Sequence, residues 1–150
     1  MSDNLAGIEE DVPFDWDGAT RLAAELRATA TTLGSQVPER DSYAQEALRD
    51  WRGRFSGEFG GRMEICTGDA ARLADAMRLA ASELDELARL AREEQDRREA
   101  ARAWKREHDN KSFLDKASDF VFGDDDKPPI PPPVQPPHWT SELPQPAGRE

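Results

Sequence analysis

The sequence predicts an all-α fold, a hairpin of two antiparallel helices. Apolar and small residues recur at steps of three and four on both sides of Trp51-Arg52-Gly53, and this spacing places them on one face of each helix. Gly53 permits a tight connection where the chain reverses, and Trp51 covers the end of the seam between the helices. After residue 124 the chain becomes dense in proline, which favours extended structure and ends the helical part.

Helix 1 is predicted to cover about residues 17–52. Asp15 or Asp17 is suited to cap its N-terminus, where a carboxylate also favours the positive end of the helix dipole. Pro38 lies inside this helix. Because proline lacks a backbone donor and clashes with the carbonyl four residues earlier, we expect a kink or a short break near residues 34–40. The apolar pattern keeps its phase across this point.

Helix 2 is predicted to cover about residues 55–109. Several glycines weaken its first turns, so packing must compensate there. Farther along, acidic residues four positions before arginines support the helix. Cys66, the only cysteine, falls on the seam and is predicted to be buried as a small apolar residue. The residues predicted to form the intramolecular seam are Leu22, Leu26, Leu33, Leu48, Phe55, Phe59, Leu73, Met77 and Leu84.

Three flanking segments differ in composition from the helices. Residues 1–13 are polar and acidic and are predicted to be a disordered lead-in. Residues 110–123 form a short amphipathic segment. Residues 124–150 are predicted to be a disordered tail, because prolines and aspartates provide too little apolar surface to offset chain entropy. The tail is either a linker or a recognition peptide, for which Trp139 is the available anchor.

The net charge of −11 limits the classes of partner. Affinity for a phosphate backbone depends on clustered Lys and Arg, so neither nucleic acid nor an anionic membrane surface is expected as a partner. No segment has the unbroken apolar run of a signal peptide or a membrane span. We therefore expect no membrane insertion, and export would require a route without a cleaved Sec signal.

The sequence contains no arrangement typical of catalysis. His108 lies in a charged helix end and His138 in the proline-rich tail, and neither has a nucleophile or metal ligands at a suitable spacing. The glycines after the turn lack the strand and the lysine that a phosphate-binding loop requires. We therefore predict no enzyme activity, no metal site and no cofactor.

A Trp-x-Gly turn between two helices of similar length, in a stretch of about a hundred residues, resembles the WXG100 (ESAT-6-like) family. These are small helix-turn-helix substrates of the type VII (ESX) secretion systems of actinobacteria and Firmicutes. The resemblance covers roughly residues 14–109 and rests on Trp51 and Gly53. The alternative is an unrelated α-hairpin with a tryptophan at its turn. The resemblance implies a four-helix bundle formed by two hairpins, as a homodimer or as a heterodimer with another WXG100-like protein.

A second apolar face on helix 2 lies beside the seam and fits such a dimer. The seam and this face together are wider than the apolar stripe that one helical partner would cover. The alternative is that these leucines are exposed without forming an interface, as single apolar residues on protein surfaces commonly are. The residues predicted to form the dimer interface are Ile65, Leu79, Leu87 and Leu90.

The family's export signal, a Tyr followed four residues later by Asp or Glu after helix 2, is absent. The only tyrosine is Tyr43, in helix 1, and Trp104 at the expected depth is followed four residues later by His108. This departure puts direct export in doubt and points to dependence on a partner.

The resemblance predicts a substrate or targeting module of a type VII system, secreted by that non-Sec route and otherwise cytoplasmic, with the secretion ATPase as a further candidate partner. It would be either a free small substrate or the targeting domain of a toxin. The alternative is a cytosolic helical adaptor or chaperone for a co-encoded exported protein.

Overall fold

A computed structural model of the chain describes residues 5–115 and 130–135, with the side chains of residues 110–115 excepted. Across these residues it contains two α-helices and no strand: α1 spans Trp16–Asp50 and α2 spans Arg54–Asp115. The helices pack against each other, which confirms the predicted all-helical hairpin.

The chain divides into two compact units, with boundaries between Asp15 and Trp16 and, within α2, between Glu86 and Leu87. Among the described residues, the hairpin unit contains residues 16–86, that is, α1 and the first part of α2. The clasp unit contains residues 5–15, 87–115 and 130–135, that is, two extended segments and the rest of α2. We call residues 5–15 the lead-in segment and residues 130–135 the proline segment.

Alanines form the buried core of the hairpin unit. Their separations along α1 are four, seven and fourteen residues, multiples of a heptad or half of one, and the two in α2 are seven apart. Small side chains allow two helices to approach closely, and the larger leucines then lie at the edges of the contact. The buried alanines of this unit are Ala19, Ala23, Ala30 and Ala44 in α1 and Ala74 and Ala81 in α2.

Two polar contacts also join α1 to α2 within the hairpin unit. Arg27 Nη2 lies 2.5 Å from Asp85 Oδ2, and Thr67 Oγ1 donates a hydrogen bond of 3.4 Å to Asp41 Oδ1. The Arg27 and Asp85 side chains are about half exposed, so this ion pair contributes little to stability and mainly fixes register.

The helix α1 continues through Pro38 without a break, where the sequence predicted a kink or a short interruption. Proline has no N–H, so the carbonyl of Gly34 lacks its usual donor four residues later. The buried seam continues on both sides of this point, at Ala30 and Ala44. Packing of these flanking turns holds the helical geometry across the missing bond.

The helix α2 extends to Asp115, beyond the predicted end near residue 109. The first part of the predicted amphipathic segment therefore continues the helix. The remainder of that segment and most of the predicted disordered tail, residues 116–129 and 136–150, lie outside the described residues, as do residues 1–4.

Candidate interaction sites

The connection between the helices consists of Trp51, Arg52 and Gly53. Gly53 has a φ of +104°, a backbone conformation that residues with a Cβ atom rarely adopt. Its carbonyl accepts hydrogen bonds from the backbone N–H and the hydroxyl of Ser56, at 3.2 and 2.6 Å. The glycine therefore allows the reversal and starts α2.

Arg52 completes the C-terminus of α1. Its Nη1 donates hydrogen bonds to the carbonyls of Leu48 and Trp51, at 3.1 and 3.2 Å. The last carbonyls of a helix have no partner within the helix, and a cation near them also favours the negative end of the dipole. Arg52 thus caps the C-terminus of α1, immediately before Gly53 reverses the chain.

Trp51 lies at an exposed tip of the hairpin unit. Its ring centroid is 5.5 Å from that of Phe59, with the planes tilted by 48°, and 42% of the residue remains exposed. Phe55 nearby is 68% exposed. The sequence predicts that Trp51 covers the end of the seam, whereas in the structure the ring packs on one aromatic neighbour and stays partly exposed. These rings form an apolar tip that faces solvent.

The residues predicted for the intramolecular seam fall into two groups. Those that are partly buried are Leu26, Leu33, Leu48, Phe59, Met77 and Leu84. Those that are exposed are Leu22, Phe55 and Leu73. The positions of closest approach belong to alanines. In α2 the buried Ala74 lies one residue after the exposed Leu73, so the predicted seam is offset by one position there.

Cys66 is exposed, so the prediction that it is buried is wrong. Thr67, which bonds to Asp41, faces α1, and successive helical residues are separated by about 100°. Cys66 therefore points more than a quarter-turn away from α1. The spacing of apolar residues by three and four positions does not distinguish a residue on the helix–helix seam from one at the edge of that seam.

The four residues predicted for the dimer interface lie in different surroundings. Ile65 and Leu79, in the hairpin unit, are 41% and 55% exposed. Leu87 and Leu90, in the clasp unit, are partly buried and line a cavity of about 210 Å³. That cavity is bounded by both extended segments, through residues such as Phe14 and Val134. In the clasp unit, part of the predicted interface is therefore covered by the chain itself.

Four polar residues on one face of α2 bind the lead-in segment, a contact that the local sequence patterns do not predict. They are Gln95, Arg98, Arg102 and Lys105, spaced by three, four and three residues. This is the spacing of a single helical stripe.

The contacts follow the lead-in segment residue by residue. Lys105 Nζ lies 2.6 Å from Glu9 Oε1, Arg98 donates to the Glu10 carbonyl at 2.8 Å, and Gln95 Oε1 accepts the Val12 N–H at 2.8 Å. Later residues of the lead-in segment contact earlier residues of α2, so the segment runs antiparallel to the helix.

Asp11 occupies the centre of this stripe. Its Oδ1 accepts hydrogen bonds from Gln95 at 2.9 Å and from Arg102 at 2.6 Å. These bonds, that from Gln95 first, lower the pKa of Asp11 below its ordinary value. The bond from Lys105 lowers the pKa of Glu9 in the same way, and that of Lys105 rises. Ionised carboxylates are therefore part of the lead-in contact.

A small apolar core lies beneath these polar contacts. It consists of Ile8, Ala101 and Ile130, all at most 7% exposed, and Leu5 and Trp104 pack against it. Each comes from a different part of the chain: the lead-in segment, α2 and the proline segment. The indole of Trp104 also stacks on His108, with ring centroids 4.8 Å apart. Trp104 is thus engaged within the clasp unit.

Glu94 connects the proline segment to α2. Its carboxylate accepts two hydrogen bonds of 2.8 Å from Arg97, one of 2.9 Å from Arg98 and one of 3.1 Å from the Val134 N–H. The Arg97 side chain is 3% exposed and that of Glu94 is 13% exposed. A buried charge is stable only when paired and hydrogen-bonded, and this network meets that requirement.

The same network changes the acidity of Glu94. The hydrogen bond from Arg97 is the largest cause, and with the bonds from Arg98 and Val134 it outweighs burial and lowers the pKa to about 2. The bond to Glu94 raises the pKa of Arg97. Both groups therefore stay ionised over the whole physiological range.

The sequence contains a signal for the clasp unit, but its two parts are far apart along the chain. The lead-in segment combines apolar Leu5, Ile8 and Val12 with a run of acidic residues, and α2 carries a basic stripe about ninety positions later. Neither segment predicts an ordered contact when it is considered alone. Their opposite charges form hydrogen-bonded pairs only when the two segments come together in the fold.

Within the part of the chain that the structure describes, no group of three or more His, Cys, Asp or Glu residues is placed to hold a metal ion. In the same residues, no helix is long and apolar enough to cross a membrane. No protein-family model matches this chain, and no curated protein or solved structure is significantly similar to it.

Proposed function

We propose that this chain is a WXG100-like substrate or targeting module of a type VII secretion system, which acts by pairing its hairpin with a helical partner. The observation that carries the proposal is the connection at Trp51–Gly53, where a positive-φ glycine joins two long helices. The partly exposed Trp51 beside it is available to a second protein.

Exposed apolar side chains in the hairpin unit support the pairing. At about 100° per residue, Ile65 and Leu79 lie roughly 140–180° around α2 from the buried alanines that face α1. They therefore project from the outer side of the hairpin. Leu73 and Leu22 are also about half exposed. A second hairpin covering these side chains would complete a four-helix bundle.

Fractionation of cultures tests the export proposal. The tagged chain is expressed in an actinobacterium with a type VII system, with and without its secretion ATPase, alongside a cytosolic marker for lysis. We expect the chain in the supernatant only when the ATPase is present. Trp51→Ala should reduce export more than the control Phe55→Ala, although Phe55 is the more exposed side chain. Equal amounts in the supernatant with and without the ATPase would refute the proposal.

A cytosolic adaptor or chaperone for a co-encoded exported protein is the second candidate. The absent Tyr-x-x-x-Asp/Glu signal favours it, as does the use of Trp104 in internal packing. An adaptor would stay in the cell pellet, and its deletion would reduce export of the neighbouring protein.

Light scattering tests the assembly. The purified chain should have the mass of a dimer, alone or with its co-encoded partner. Leu79→Lys should shift the mass toward that of a monomer, whereas Ala71→Lys, at an exposed position of the same helix, should leave it unchanged. A wild-type chain that is monomeric with and without the partner, yet unfolds cooperatively, would contradict this proposal.

A further inference from the structure

The proline segment lies on α2 in a defined register. Ile130 belongs to the apolar core with Ala101, and the Val134 N–H bonds to Glu94. Four residues of polyproline II span about 12 Å, and the seven residues of α2 between the two contacts span about 10 Å. An extended proline-rich peptide running antiparallel to α2 therefore reaches both contacts without bending.

The chemistry of the segment suits this surface. Pro131, Pro132 and Pro133 are exposed and have no N–H groups, so the stretch between the two contacts carries no backbone donor that the helix must satisfy. Between Ile130 and Gln135 the only backbone donor is that of Val134, and Glu94 accepts it. Two apolar anchors four residues apart thus flank a stretch that needs no hydrogen bonds.

The lead-in segment forms the opposite wall. Val12, Pro13 and Phe14 face Leu90 and Ala91 of α2 across the cavity of about 210 Å³, and Val134 and Gln135 also line it. The contacts of Glu9 to Val12 with α2 hold this wall in position. The result is a groove with a helical floor, an apolar wall and a carboxylate acceptor at one end.

We propose that this groove is a binding site for extended proline-rich peptides with apolar anchors four residues apart, and that the chain's own proline segment occupies it in cis. A partner peptide of the same Ile-Pro-Pro-Pro-Val chemistry binds in trans by displacing that segment. The proposal is independent of the export function, because it depends only on contacts within the clasp unit.

The test uses the full-length chain and a fluorescent synthetic peptide that spans residues 127–137. Ile130→Arg places a charge where the buried anchor sits and should vacate the groove. Fluorescence anisotropy should then show the peptide binding at least tenfold more tightly to this variant than to the wild type, whose groove is filled. The control Pro132→Arg adds the same charge at an exposed position and should behave as the wild type.

A second peptide, in which the residue equivalent to Ile130 is Arg, should not bind to either chain. Circular dichroism establishes whether the Ile130→Arg chain keeps its helices, and if it does not, the milder Ile130→Ala chain replaces it. Equal binding of the two peptides, or equal affinity of the wild type and a folded Ile130 variant for the native peptide, would overturn the proposal.

Discussion

Glu94→Gln is the most informative single substitution in the clasp unit. Glutamine keeps the size of the side chain and one acceptor oxygen. It removes the negative charge of the carboxylate to which Arg97, Arg98 and Val134 donate hydrogen bonds. In the native chain the pKa of Glu94 falls from its ordinary value of 4.5 to about 2. At 1.36 kcal/mol per pH unit, this fall corresponds to about 3 kcal/mol of stabilisation in favour of the folded, ionised state.

The sign of the pH dependence follows from the direction of the pKa change. Because the folded pKa lies below the unfolded one, the contribution of Glu94 is fully present above about pH 4.5 and disappears as the pH falls toward 2. Glu9 and Asp11 have lowered pKa values too and act in the same direction. The wild type should therefore lose stability steadily across this acidic range.

Urea unfolding followed by circular dichroism at pH 7, 4.5 and 2.5 measures this effect. We expect Glu94→Gln to reduce the free energy of unfolding by about 2–4 kcal/mol at pH 7, since it also leaves the buried Arg97 without a counter-charge. The difference from the wild type should shrink toward zero at pH 2.5. The NMR signal of the Val134 N–H should move in the variant, because its acceptor has changed.

Glu93→Gln is the matched control. Glu93 is the preceding residue and pairs with Arg89, but the side chains of this pair are about half exposed. An exposed pair of this kind contributes at most about 1 kcal/mol, so the control should be nearly neutral. If Glu94→Gln retains the pH profile of the wild type, or costs no more than Glu93→Gln at pH 7, the Glu94 network does not stabilise the clasp unit.

Three further substitutions, two of them with a matched control, test the hairpin unit by thermal and urea unfolding. Gly53→Ala should destabilise it by about 1–3 kcal/mol because of the positive φ, whereas Gly57→Ala, in open space within α2, should stabilise it by about 0.5–1 kcal/mol; a shared sign would refute the turn geometry. Ala81→Leu should cost about 1–3 kcal/mol by overpacking the seam, and Ala71→Leu at an exposed position should be nearly neutral; equal effects would mean that the seam is loosely packed. Trp51→Ala should cost only about 1–2 kcal/mol, since the ring is partly exposed and contacts Phe59; a loss above about 4 kcal/mol would mean that the ring is buried.

The hairpin was predictable because its signals are local. Helical periodicity, a glycine between two periodic stretches and the density of helix formers all act within a few turns of the chain. The choice between alanine and leucine at the closest approach is not local. Ala81 is fully buried, whereas Leu73 on the same helix, which the pattern placed on the seam, is 45% exposed. Which of them faces α1 depends on how the two helices rotate against each other, and that is decided by both surfaces together.

The clasp unit shows the same limit at longer range. Glu9, Glu10 and Asp11 make the lead-in segment resemble a solvated acidic run, which predicts disorder when the segment is considered alone. Burial of Ile8 against Ala101, together with hydrogen bonds from Arg98 and Arg102, orders it, and these groups of α2 lie about ninety residues away. Composition gives the net charge of −11, yet that sum conceals a basic stripe placed opposite an acidic segment. Whether such a segment is ordered therefore depends on where its complement lies in the fold, so a search for complementary charge patterns between distant segments is the sequence test that would have found this contact.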